Sequence, residues 1–322
     1  PELLAIADGY TFDVGFRADD RERIGEELFR MTRQRWAVAR HLWSKEAWDF
    51  FAVHEIGPDR LHHTFWKYFD PTHPRYVDHP KFRQLVEDYY ALMDHEIGAF
   101  LKVVPDDVVV MILSDHGSQG MVGCFCINEW LIERGYLTLR STPPAGTPIE
   151  KADVDWSKTV AWGAGGYYAR IFFNVRGREP EGILPPEELG GTVARLAEEI
   201  GEVRRPDGAR LGATVRAPYE LYREVNGDPP DLMVYFGDLT WRSAGTLGHG
   251  RLFLSENDTG PDDSVHSFNG VFAVRDARFP EGQHVAPANG IDVAATILAR
   301  MGVARPSRMQ GTPIPSLAPH AP

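Results

Sequence analysis

The stretch Val108-Val109-Val110-Met111-Ile112-Leu113-Ser114-Asp115-His116-Gly117 decides how the fold is read. Its apolar residues run without alternation, the pattern of a strand buried on both faces, as in a parallel sheet covered by helices. The run ends on an acid and an imidazole, at the carboxyl end where open α/β sheets bind ligands. A carboxylate oxygen beside a neutral imidazole nitrogen suits zinc and similar divalent ions. Gly117 lets the backbone turn and come close to a ligand. The plainer reading makes Asp115 a cap for the next segment and His116 a satisfied structural histidine.

Working toward the N-terminus, Ile24, Leu28, Met31, Val38 and Leu42 recur at helical spacing and predict an amphipathic helix over 20–44. Asp19 and Asp20 place negative charge at its start, where the helix dipole favours it. The short aromatic run Trp48–Val53 reads as a buried strand, and a second helix is expected over 80–103, with Pro80 in its first turn. Strand, helix and strand in that order predict a doubly wound, mostly parallel α/β sheet with helices on both faces. After Leu139 the texture changes. Residues 141–155 are rich in Pro, Thr and Asp, and 159–174 reads as Gly-punctuated strands. A helix over 186–203 and a strand over 232–236 follow. We therefore expect 141–245 to be an α+β insertion or cap, a lobe apart from a core made of 1–140 and 246–322. The core resumes with a strand over 270–274 and a helix over 291–301 stopped by Gly302, and the last ten residues read as a loose tail.

The 322 residues are 43% apolar and 25% charged, which supplies a sizeable core and excludes a disordered chain. Lys and Arg number 34 against 46 Asp and Glu, a net charge of −12. Such a surface binds nucleic acid and anionic membrane poorly, although a bound metal can still draw an anionic substrate. No apolar stretch is long enough to span a membrane, and the expected location is cytoplasmic. Cys124 and Cys126 are too close for an ordinary bridge and read as small apolar residues on a buried strand.

Two further stretches carry metal-ligand chemistry. In Asp59-Arg60-Leu61-His62-His63, an Asp opening a helix has His63 one turn along on its face, with His62 close to the same face. In Gly260-Pro261-Asp262-Asp263-Ser264-Val265-His266, the histidine can complete a site with Asp59 and His63, and His249 is its rival. Arg170, Arg176 and Arg178 read as solvated surface charge, and Trp156, Trp162, Tyr167 and Tyr168 as core.

Taken in order, these stretches resemble the type I phosphodiesterase/nucleotide pyrophosphatase family of the alkaline phosphatase superfamily. Asp59–His63 with Thr64-Phe65-Trp66, Ser114–Gly117 with Asn128-Glu129-Trp130-Leu131, and Asn174–Pro180 carry the likeness. So do Pro230-Asp231-Leu232, Asn257–Asp263 leading to His266, and Asp292–Leu298. The resemblance implies an alkaline phosphatase-like fold and two divalent ions, zinc or manganese. It matches Asp59, His63 and His266 to one ion, and Asp115 and His116 to two ligands of the other. It implies in-line displacement on a small phosphate ester by a Thr or Ser alkoxide, through a covalent intermediate.

The family's first metal-binding Asp follows an N-terminal strand, and its nucleophile opens the next helix. Asp8, Thr11 and Asp13 lack that context, so the nucleophile is not expected in this chain. We expect the C-terminal portion of such an enzyme, inactive by itself and binding one ion better than two. Met121 also stands further from Ser114–Gly117 than the family's pattern has it. The alternatives are a non-catalytic metal-binding protein of the same fold, a sulfatase, which would carry Lys where His266 stands, and a phosphoglycerate mutase relative.

Overall fold

In the computed structural model, the described residues are 2–279, 282, 284 and 286–318. The chain forms two units. One takes the chain up to Val104 together with His116–Asn269, and the other takes Pro105–Asp115 together with the chain from Gly270 onward.

The first unit opens with a short helix α1 (Glu2–Ile6) and three longer ones, α2 (Arg21–Lys45), α3 (Gly57–Phe69) and α4 (Pro80–Leu101). Asp20 caps α2 by accepting from the Arg23 amide, and His79 does the same for Phe82 at the start of α4. Ile24, Leu28 and Met31 of α2, Leu61 and Phe65 of α3, and Val86 and Tyr89 of α4 form one apolar core. The start of α3 is fixed from the side. The Glu55 carboxylate accepts from the Gly57 amide at 2.9 Å and pairs with the buried Arg35 at 3.0 Å. A Cβ on Gly57 would fall on the Tyr89 hydroxyl.

The rest of the first unit is built on strands. In chain order these are β2 (Gly117–Gly120), β3 (Gly123–Cys126), β4 (Ala161–Ala164), β5 (Ala169–Phe173), β6 (Ala213–Arg216), β7 (Leu232–Phe236), β8 (Trp241–Ala244), β9 (Phe253–Leu254) and β10 (Ser264–Ser267), with β1 (Val110–Leu113) and β11 (Phe272–Arg275) in the second unit. One mixed sheet runs β4-β5-β7-β8-β3-β9, with β6 on β7, and β2 pairs with β10 as a separate antiparallel ribbon. Helices α5 (Ile127–Glu133), α6 (Leu189–Gly201) and α7 (Pro218–Leu221) belong to this part, and α5 and α6 pack into the sheet's apolar core.

The chain is thus a mixed α/β protein, but the expected parallel arrangement does not appear. Among the described ladders only β3 with β8 is parallel. The run over 108–113 forms β1, paired antiparallel with β11 in a two-stranded ladder, and Ile112 and Leu113 are 41% and 45% exposed. An apolar run reports an affinity for burial and nothing about the direction of its partner. The stretch Trp48–Val53 has no strand partner. Phe51 is held instead by the rings of Trp43, Trp48 and Phe100.

Nor do 141–245 form a lobe apart from 1–140. Their strands β4, β5 and β7 share one sheet with β3. The Asn128 side chain ties the two parts, donating to the carbonyls of Gly163 and Gly245 and accepting from the Gly163 amide. The units divide instead at 104/105, 115/116 and 269/270. In the second unit, α8 (Gly290–Arg300) is capped by Asn289, and Gly302 follows at φ 68°. The expected loose tail is partly packed, since Ile314 and Leu317 are 4% and 2% exposed, while residues 319–322 lie outside the described residues. Among the described residues, no helix is long and apolar enough to cross a membrane.

The crowding at Gly57 yields a test. Gly57→Ala is expected to lower stability by about 2 kcal/mol through overpacking. Removing the opposing oxygen with Tyr89→Phe in the same chain should recover part of the loss, as read from urea denaturation of both single variants and the double. Strictly additive effects would contradict the described contact.

Candidate metal centre

Asp59 lies in the first turn of α3 and His63 one turn later. His266 lies on β10, directly opposite Ser118 of β2, and His116 stands just before β2. The Nε2 atoms of His63, His266 and His116 lie 3.4, 3.6 and 4.0 Å from the same atom, Asp59 Oδ1. The other Asp59 oxygen accepts from Arg60 at 2.7 Å, and Arg60 in turn grips both oxygens of Asp13. One carboxylate oxygen is therefore anchored and the other faces a ring of imidazoles.

The donor atoms of Asp59, His116 and His266 lie within 4.8 Å of one another, a spacing that can hold a metal ion. Asp59 Oδ1 and His266 Nε2 are buried and have no hydrogen-bond partner. Polar atoms left in that condition are costly unless something polar fills the gap between them. A carboxylate oxygen with imidazole nitrogens is also the donor set that divalent zinc takes. The residues fit a cation.

The electrostatics agree. Burial alone would raise the Asp59 carboxyl, but the adjacent His63 imidazole, then Arg60 and His266, hold it down at about 2. Burial, reinforced by His116 and His63, pushes His266 down to about 3. At neutral pH the acid is ionised and His266 keeps a free lone pair, the states in which both bind metals.

The neighbouring groups orient these ligands. His63 Nδ1 lies 2.6 Å from Asp262 Oδ1. Against the effect of burial, Asp262 and Asp59 raise the His63 pKa. The rings of His116 and His266 stack at 3.5 Å and 13°. Phe16 stacks on His63 at 5.0 Å.

The structure places each of the residues between which spacing could not choose. His62 turns away from the cluster and bonds Ser118 Oγ at 2.9 Å and the Tyr90 hydroxyl at 2.5 Å. His249 Nε2 bonds the Thr246 hydroxyl instead. His116, expected with Asp115 at a different ion, stands with Asp59 and His266. Asp115 is the last residue before the chain re-enters the first unit and is described with the second. Gly117 serves close approach and not a tight turn, because a Cβ there would strike the Asn269 carbonyl. Of the N-terminal candidates, Asp8 is exposed, Asp13 is taken by Arg60, and the Thr11 hydroxyl bonds the Gly9 carbonyl.

Sequence reasoning passed over the parts played by Asp262 and Arg242, and read Tyr167 as core. Asp262 is fully buried, with Arg17 at 3.2 Å and Arg242 at 3.4 Å on its second oxygen. Its trace in the sequence was the pair of adjacent acids before His266. Arg242 carried no signal, and Tyr167 showed only as one aromatic among several.

No curated protein matches the chain. The family described as type I phosphodiesterase/nucleotide pyrophosphatase matches over residues 4–264, which takes in Asp59, His63, Asp115 and His116 and stops just short of His266. The chain belongs to the type I phosphodiesterase/nucleotide pyrophosphatase family of the alkaline phosphatase superfamily, a family of phosphoester hydrolases.

Proposed function

We propose that this protein is a metal-dependent hydrolase of phosphodiester or nucleotide pyrophosphate bonds, with Asp59, His63, His116 and His266 holding a divalent ion, zinc or manganese. One observation carries the reading: a single unpartnered carboxylate oxygen, Asp59 Oδ1, faces three imidazole nitrogens at 3.4 to 4.0 Å. When bound, such an ion supplies a Lewis acid that polarises a phosphoryl oxygen and offsets its negative charge.

The protein's own residues do the rest. Arg60 fixes the rotation of the Asp59 carboxylate by holding its other oxygen. Asp262 sets the plane of His63 from the Nδ1 side, the usual way an outer carboxylate orients a metal-binding imidazole. The stack of His116 on His266 keeps both rings from turning away. A two-ion form of the reaction adds Asp115 to the ligands, as the family resemblance implies. The same resemblance assigns the attacking alkoxide to a helix start that no segment here matches. We therefore propose that this chain turns over slowly, by activated water, and binds one ion more tightly than a second.

Zinc titration by calorimetry is expected to give one tight equivalent on the wild-type chain. Asp59→Asn should weaken it by more than about 100-fold, and Asp262→Asn, which leaves the ligands in place, by about 10- to 100-fold. His62→Ala should leave zinc affinity within about threefold, because that ring serves Ser118 and Tyr90. With a chromogenic phosphodiester, slow hydrolysis should vanish with chelator and return with zinc. Absence of stoichiometric zinc uptake, or equal hydrolysis by Asp59→Asn, would overturn the assignment. Two tight equivalents with fast turnover would overturn the slow, one-ion part of it.

A further inference from the structure

Tyr167 projects from the turn between β4 and β5 onto the imidazole cluster. Its ring stacks on His266 at 3.5 Å and 22°. His116 stacks as closely on the same imidazole, so the two rings take opposite faces of it. On the outer side, the Arg242 guanidinium lies 4.4 Å from the centre of the Tyr167 ring. The hydroxyl reaches the cluster itself, 3.1 Å from His63 Nε2. The contacts close into a loop, because His63 Nδ1 bonds Asp262 and Asp262 also accepts from Arg242.

The backbone that presents this phenol is anchored. Gly166 and Ser243 exchange both amide-to-carbonyl bonds, at 2.8 and 2.9 Å. Gly165 has no room for a Cβ, because the Gly245 and Ser243 backbones lie directly against it. A phenol held from its ring face and from its backbone arrives in place before any ligand does, the condition for a useful polar contact.

Resting on the functional reading above, we propose that Tyr167 is the substrate-oxygen contact of this site: its hydroxyl bonds His63 Nε2 and passes to a phosphoryl oxygen when a cation takes that nitrogen. Whichever atom of the pair carries the proton, a cation on Nε2 ends the bond to Tyr167. The hydroxyl then loses its partner and is left in need of another. A phosphate oxygen bound at the same ion would supply that partner. No covalent bond forms or breaks in this exchange.

The test is the sign of two effects. Tyr167→Phe keeps the ring and its stack but removes the hydroxyl. The variant is expected to bind zinc about three- to tenfold more tightly, since no hydrogen bond is lost on loading. Once zinc-loaded, it should bind inorganic phosphate about tenfold more weakly. A purely structural residue would weaken both, and that result, or no change in either, overturns the proposal. Tyr168→Phe, whose ring lies on Tyr235, is expected to change neither constant. A second measurement needs no variant: zinc added to the wild-type chain should give a tyrosine difference spectrum that phosphate partly reverses, and a flat spectrum overturns the proposal. A wild-type chain that binds no zinc overturns the functional reading itself, which separates that failure from this one.

Discussion

Two adjacent carboxylates with no access to water, Asp262 and Asp263, hold the first unit in its form. Burying an ionised acid is tolerable only where cations and donors surround it. Here they come from every direction. Arg17 and Arg242 reach Asp262, while Arg21 of α2, Lys67 of α3 and Arg75 reach Asp263. The main chain joins in, with the Asp263 amide donating to the His63 carbonyl and the Asp263 carbonyl accepting from His73 and Met121. The segment leading to β10 is thereby bound to the helices and to β2 at once. His266, three residues on, inherits that placement.

The same economy of atoms recurs at the cluster. Asp59 gives one oxygen to an arginine and the other to the imidazoles, and Asp262 gives one to His63 and the other to two arginines. Each carboxylate is split between an anchor and a function. Neither can rotate without giving up a charged partner, so the protein's own side chains fix the ligand positions. Catalytic and binding groups gain most when their geometry exists before the ligand arrives.

The helices were legible in the sequence because their apolar spacing is local: 20–44 and 80–103 appear as Arg21–Lys45 and Pro80–Leu101. Asp59 and His63 could be paired for the same reason, being one helical turn apart. Strand partners were not legible. The runs over 48–53 and 108–113 signal an affinity for burial, yet Trp48, Phe50, Ile112 and Leu113 stay exposed, and apolar composition does not say which partner a segment takes. The distinction between His62 and His63 depended on what α3 packs against, which is a tertiary fact. Asp262 was visible as an acid but not as a partner of His63, because nearly two hundred positions separate them and no spacing rule spans that distance. Tyr167 was legible only as an aromatic residue.

The register of the β2–β10 ribbon sets different tolerances along the chain. His266 faces Ser118, and Gln119 locks that alignment by donating to the His266 carbonyl and to that of Asp238. Side chains alternate along a strand, so a slip of one position would turn His266 to the opposite face. Surface loops elsewhere can lengthen at little entropic cost, since loop closure grows only logarithmically with length. Over evolutionary time, the connections around Asp207 and Asp228, both at exposed positions, are where residues can be added or lost. Between Gly117 and Gly120, and again between Ser264 and Ser267, a single inserted or deleted residue would abolish the centre while leaving most of the protein's mass undisturbed.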